Sequence, residues 1–238
     1  MAVAMKKPST WAHYVALLKK DLSQELHTKD MLTSMGRYAL LVLVVYGAAL
    51  AQAGSELDIL QMAGGLLWAV ILFTSLLGLN RSFSHEKEQG CLEGILLVPM
   101  DRSVIFLAKA TANLIFLLAV TAVTVPLFFF LFLGQVGAAP TWPLMIAPLL
   151  AGTVGIAGVG TMLSTITMNT RGKDVMLAVL FIPLLFPLLW ACVSATTCVM
   201  CAPEGFMDTF VTSMALSAGY DIVMILISWV LYDFVVSA

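Results

Sequence analysis

Charge is what this sequence has little of. Asp, Glu, Lys and Arg make up 11% of its 238 residues, hydrophobic residues make up 61%, and the mean hydropathy is +0.99. A soluble domain carries roughly 25% charged residues. A water-soluble fold of this size cannot hide so much apolar surface, so lipid must cover the rest. No basic tract is present, which excludes nucleic acid as a partner. No Gly-x-x-x-x-Gly-Lys-Ser/Thr loop is present, so any ATP must be bound by another chain. Residues 1–35 hold no continuous apolar run, so no signal peptide is expected. The four cysteines make no disulfide framework, and no internal repeat argues for an inverted-repeat transporter.

What is there is a set of long apolar runs. A spanning helix needs about 20 mainly apolar residues. Six are expected, near Tyr38–Ala53, Met62–Leu79, Ile105–Leu133, Leu144–Thr167, Val175–Met200 and Phe210–Val236. All must be helical, because lipid offers no partner to backbone N–H and C=O groups. The fold class is therefore an all-α polytopic membrane protein. All twelve Lys and Arg residues can be placed on one side: Lys6, Lys7, Lys19, Lys20, Lys29 and Arg37 before the first run, Arg81, Lys87, Arg102 and Lys109 in one polar stretch, Arg171 and Lys173 in another. The remaining loops carry Glu56, Asp58, Glu204 and Asp208 and no cation. Cytoplasmic loops retain Lys and Arg. The expected orientation has both termini in the cytoplasm.

Two polar segments flank the first and third runs. Residues 1–34 read as a cytoplasmic amphipathic segment ahead of a transmembrane domain over 35–238. In 9–27, Trp11, Tyr14, Val15, Leu18, Leu22 and Leu26 share one helical face. This helix lies flat on the inner leaflet as an elbow, or else extends the first span into the cytoplasm. The second segment, 81–104, is the longest polar interruption. Glu86 and Glu93 share a helical face, Pro99 stops that helix, and Asp101 or Ser103 can cap the next. An acidic helix, a sharp turn and a capped helix entering lipid could carry push and pull from a soluble partner.

The pattern Glu86-x-x-x-Gly90-x-x-Glu93-x-x-x-x-x-Pro99 resembles the coupling segment of ABC-2 permeases, the type 2 ABC membrane subunits. Leu66–Phe116 more narrowly resembles the haem exporter protein B family of bacterial cytochrome c maturation. Trp68, Ser75-Leu76-Leu77, Leu79, Arg81, Phe83, Gly90-x-Leu92-Glu93, Leu97-x-Pro99 and Leu107-Ala108-Lys109 carry that likeness, with Arg171-Gly172 and Leu180-x-x-Pro183-Leu184-x-x-Pro187-Leu188-Leu189 as a second match. The sequence departs from the family's pattern in Asp233, where a basic end is usual, and in Cys198-x-x-Cys201.

The resemblance implies a non-catalytic multi-pass subunit of the bacterial inner membrane, paired with a second copy of itself and with an ABC ATPase subunit. Its further partners would be a haem-handling membrane subunit, a small tether subunit and a periplasmic haem chaperone. It implies no cofactor on this chain alone: ATP and Mg belong to the partner, and haem to the complex. The ATPase-coupling residues would be Phe83, Glu86, Glu88, Gly90, Glu93, Pro99, Asp101 and Arg102. A permease for a different lipid, drug or polysaccharide cargo keeps the same architecture. An intramembrane enzyme would need paired catalytic groups at one depth, which the spans lack.

Single residues add detail. Gly152, Gly155, Gly158 and Gly160 form a face for close helix packing, and Pro183 and Pro187 mark a kink or hinge. Asn113 and Thr111 are expected to bond between helices. His13, His27 and His85 all fall on the inner side, so the chain is a poor outer-face haem ligator. No metal site is expected. Candidate outer-side functional residues are Asp221, Cys198 and Cys201; for the cysteines, packing at a helix end is the simpler reading. Ser217-Ala218-Gly219 suggests a break, leaving Met207–Leu216 as a re-entrant piece and Asp221 near the N-terminus of the true span.

Overall fold

The structure is a computed structural model. It describes the backbone of residues 10–52, 59–88, 102–132, 141–167, 170, 172–202 and 204–237, and within them all side chains except those of 51, 82–88, 142, 173 and 233–237. Seven helices follow in order: α1 (Thr10–Thr28), α2 (Asp30–Gln52), α3 (Ile59–Glu88), α4 (Arg102–Phe132), α5 (Ile146–Thr167), α6 (Lys173–Cys201) and α7 (Phe206–Ser237), with a short 3-10 turn at Trp142–Met145 leading into α5. Six of the helices are long and apolar enough to cross a membrane.

Side-chain pairings fix the direction of each helix. Gly78 of α3 sits over Met35 and Met31 near the start of α2, so these two run antiparallel. Gly64 faces Val193 and Thr197, while Leu79 and Phe181 meet at Gly160; α3 and α6 are therefore antiparallel. Gly152 faces Trp68 and Gly160 faces Leu79, so α3 and α5 run parallel, as do α5 and α7 through Gly155–Asp221 and Gly158–Ile225. The result is an up-and-down bundle. One end collects Lys29, Glu88, Arg102, Thr167, Lys173 and Ser237; the other collects Gln52, Ile59, Phe132, Thr141, Cys201 and Phe206. The hydroxyl of Thr141 donates to the carbonyl of Val199 at 3.0 Å and ties that second end.

Lipid supplies no hydrophobic drive between helices, so packing and small residues must hold them. α5 is the centre of this packing. It is buried almost all round, and α3, α4, α6 and α7 all lie against it. α6 and α7 bury narrower stripes: Leu177, Phe181, Leu185, Leu188 and Cys192 recur every three or four residues on α6. Their other faces expose Val179, Phe186, Trp190, Ile222, Leu226 and Val230, as lipid-facing helices should. Pro183 and Pro187 lie on that exposed side of α6. Between α2 and α4 an apolar groove of about 270 Å³ opens, lined among others by Gly36, Leu40, Val123 and Leu127.

Two expectations are corrected. α7 does not break at Ser217-Ala218-Gly219; it is one helix of 32 residues. Met207–Leu216 is part of it, and Asp221 stands in its middle rather than at a helix start. A single glycine costs a helix only about 1 kcal/mol, and the partners α5 and α6 outweigh that. The first spanning helix begins at Asp30, not near Tyr38, because the mixed stretch 30–37, with Asp30, Thr33, Ser34 and Arg37 beside the core residues Met31 and Met35, continues the helix on the elbow side.

The glycines give a direct test. An added Cβ at Gly152 would run into the Trp68 indole, whereas at Gly219 it meets nothing within 4 Å. Gly152→Ala is expected to lower stability in detergent by about 1–3 kcal/mol, and Gly219→Ala to raise it by up to about 1 kcal/mol. Thermal unfolding of the two variants beside the parent reads both signs, and a destabilising Gly219→Ala would restore the broken helix.

Candidate functional site

Two regions gather the residues to which sequence reasoning points. The first is the cation-bearing end of the bundle. Every described Lys and Arg belongs to it: Lys19 and Lys20 on α1, Lys29 at the elbow, Arg37 on α2, Arg81 and Lys87 on α3, Arg102 and Lys109 on α4, and Lys173 on α6. Glu204 and Asp208 stand at the opposite end. Phe83, Glu86 and Glu88 occupy the last turns of α3, and Arg102 opens α4. Gly90, Glu93, Pro99 and Asp101 lie outside the described residues, so the expected acidic helix, turn and cap are not part of this description.

α1 is bolted to the start of α4. The Tyr14 hydroxyl donates to Thr111 Oγ1 at 3.1 Å, and Leu17, Leu18 and Leu22 pack on the core. Trp11, Val15 and Leu26 remain exposed on the same amphipathic helix. That is the pattern of an elbow with one flank on protein and one flank offered to the membrane interface. The elbow turns at Lys29, whose φ of 54° is left-handed and rare for a residue with a Cβ. Glu25 holds the turn. It is buried at 9% exposure, and its Oε1 accepts the backbone N–H of Leu32 at 2.8 Å, satisfying an orphan donor in the first turn of α2. A cap is normally sought within one or two residues of a helix start. Glu25 reaches it from the preceding helix across the bend, so only the fold brings the pair together.

The second region lies within the membrane, between α5, α6 and α7. Gly155 sets the α5 backbone directly against the Asp221 carboxylate and Leu188. Asp221 is 7% exposed, and its Oδ1 has no hydrogen-bond partner. An ionised Asp at mid-bilayer costs about 2.5–3.5 kcal/mol on insertion scales. Ser213 and Ser217 precede it on the same buried stripe of α7. Ser213 Oγ donates to Ser194 Oγ of α6 at 3.3 Å, and the Tyr220 hydroxyl donates to the Leu184 carbonyl at 2.7 Å, beside the two prolines. Close by, Trp68 Nε1 donates to Thr196 Oγ1 at 3.0 Å across α3 and α6, over Gly152. Asn113 Nδ2 donates to Thr161 Oγ1 at 2.9 Å and joins α4 to α5.

Of the other predicted residues, Gly158 meets Ile225 of α7. Cys198 and Cys201 are not in disulfides and are half-buried in the last turns of α6. Among the described residues, no three His, Cys, Asp or Glu side chains converge. Sequence reasoning picked out Asp221 and the α5 glycines separately, but nothing in their spacing showed that Asp221 faces Gly155.

Comparison with known proteins adds the family. The family described as CcmB protein matches residues 12–234. The chain is similar to "Heme exporter protein B" of Pseudomonas aeruginosa, 31% identical over 57% of this chain and 60% of that one. It is similar to the protein of the same name from Paracoccus denitrificans, 30% identical over 54% of this chain and 58% of that one. A third, from Rhodobacter capsulatus, is 27% identical over 73% of this chain and 78% of that one. The match spans less than two thirds of the length of the first two relatives.

The elbow cap generates a prediction. Glu25→Ala removes the acceptor of the Leu32 N–H, at an expected cost of about 1 kcal/mol. Amide hydrogen exchange in the first turn of α2 should accelerate about fivefold, while exchange in α5 stays unchanged.

Proposed function

The chain belongs to the CcmB family, and from that premise we propose that it is the membrane subunit of an ABC-type complex serving cytochrome c maturation. The observation that carries this reading is the family likeness, which runs through nearly the whole bundle, residues 12–234. Relatives that bear the name heme exporter protein B supply the substrate class, haem. ATP is hydrolysed on a partner chain, since this sequence has no phosphate-binding loop of its own. Haem passes to, or its loaded chaperone is released from, other members of the complex. The chain is a non-catalytic subunit of the bacterial inner membrane, with the cation-bearing end in the cytoplasm; the placing of Lys and Arg on that side supports this orientation.

The mechanical reading follows from the arrangement at that end. Residues 81–104, from the last turns of α3 to the first turn of α4, form the contact for the ATPase, through Phe83, Glu86, Glu88, Gly90, Glu93, Pro99, Asp101 and Arg102. Closure of the ATPase pair pushes on the segment and shifts α3 and α4. Support comes from α4, a helix of 31 residues that reaches from Arg102 to the opposite end of the bundle. The shift reaches α5 through the Asn113–Thr161 bond. It reaches α7 through the Phe106 and Tyr232 rings, whose centroids are 5.3 Å apart. Pro183 and Pro187 let α6 bend where the Tyr220 hydroxyl holds it.

Two measurements test this. Deleting the chain from its own bacterium should abolish haem staining of c-type cytochromes, and the parent sequence should restore it; normal cytochromes in the deletion strain overturn the cargo. Glu86→Lys should weaken co-purification of the ATPase by about tenfold, or about 1.4 kcal/mol, with the chain still inserted at parental levels. Recovery of the ATPase in full yield would remove the coupling role from this segment.

A further inference from the structure

We propose that Asp221 is a proton-binding site, occupied in the packed bundle and opened to water only when α5 and α7 part. The inference concerns the bundle alone and does not rest on the identity of the cargo.

Four observations converge on it. Asp221 is 7% exposed in the middle of a helix that crosses the membrane, and its Oδ1 lacks any hydrogen-bond partner. The wall it faces on α5 is the bare backbone of Gly155, with Leu188 of α6 alongside. Neither offers a positive charge or a donor to a carboxylate. The titratable neighbours are Cys192 of α6 and Tyr220 of α7 itself, both neutral or negative in every protonation state. The cations of α4, Arg102 and Lys109, belong to the far end of α7, each about one turn from Phe106, whose ring packs at a tilt on Tyr232. A lone carboxylate without a compensating cation or donor in a low-dielectric core takes up a proton. A protonated acid is neutral, and it fits the slot that Gly155 leaves.

The polar stripe of α7 supplies the route. Ser213, Ser217 and Asp221 recur every four residues on one buried face, and Ser194 of α6 joins the stripe through Ser213. These hydroxyls run from Asp221 toward the Phe206 end of the helix, so an opening there wets the acid along side chains that can carry a proton. Thr74 and Ser164 also hold unpartnered buried oxygens. They are neutral hydroxyls and do not titrate. Asp221 is thus the described group whose charge would change when the α5–α7 seam opens, and the ionised form would resist reclosure.

Infrared spectroscopy of the full chain in lipid tests this at about pH 6, where exposed carboxyls, with pKa values of about 4, are ionised. The parent should show the carbonyl stretch of a protonated carboxylic acid, and Asp221→Asn should lose it. If Asp221→Asn fails to fold, Asp221→Glu keeps the acid and should move the same band, which assigns it. A parent spectrum without a protonated-acid band overturns the proposal, and so does a band that persists in Asp221→Asn. The same band reads the gate. Its shift on transfer to D₂O should be at least tenfold slower than the exchange of amides in the exposed turn at Gly205. Complete exchange on mixing would show an acid already open to water, and the gated site would fall with it.

Discussion

The bundle depends on how closely backbones can approach across one face of α5. Lipid tails are as apolar as the side chains, so burial alone gains little between spanning helices. Contact area and short-range dispersion must do the holding, and both decline steeply with separation. Gly152, Gly155, Gly158 and Gly160 remove the side chains that would keep α5 at a distance. Into the space go the Trp68 indole, the Asp221 carboxyl, Ile225, and Leu79 with Phe181. The interhelical hydrogen bonds of Trp68 and Asn113 lie on the same helices and fix their register, but each such bond is worth only around 1 kcal/mol in a membrane. They orient the contact that the glycines permit.

This dependence explains what could be read from the sequence. The spanning helices were legible because the bilayer enforces a minimum length and forbids unpaired backbone, and each of the six expected apolar runs falls on one long helix apart from a residue or two at its ends, the fourth beginning in the 3-10 turn before α5. The amphipathic N-terminal segment was equally legible; α1 covers Thr10–Thr28, against the expected 9–27. The bonds of Asn113 and Thr111 to other helices follow from the cost of leaving a polar group unpaired in lipid. By contrast, the break read from Ser217-Ala218-Gly219 was a local argument, and a local penalty of this size is overruled once α7 lies along both α5 and α6. The start of α2 was missed for a related reason. Hydropathy marks where lipid begins, not where the helix begins, and Asp30–Arg37 are helical on the polar side of that boundary.

The site residues divide along the same line. The identity of Asp221 as an unusual residue was visible, since a carboxylate in an apolar run is costly wherever it points. Its partner was not, because a glycine 66 positions earlier carries no signal of what it faces. The Glu25 cap was hidden in another way. Its acceptor comes from the helix before the turn, and only the left-handed Lys29 aims it at Leu32. For the segment between α3 and α4, the sequence pattern remains the whole argument, as residues 89–101 lie outside the described structure.

The length of α4 has a consequence of its own. Its 31 residues span about 46 Å, against a hydrocarbon slab of about 30 Å. About 16 Å of rod therefore stands clear of the acyl chains. Arg102 and Lys109 put that surplus at the elbow end, and Tyr14 of α1 grips it at Thr111. That surplus is clasped rather than left in water: Val104, Ile105, Phe106 and Ala108 are buried, with α1 on one side and Tyr232 of α7 on another, so any displacement of these turns must move both neighbours with them.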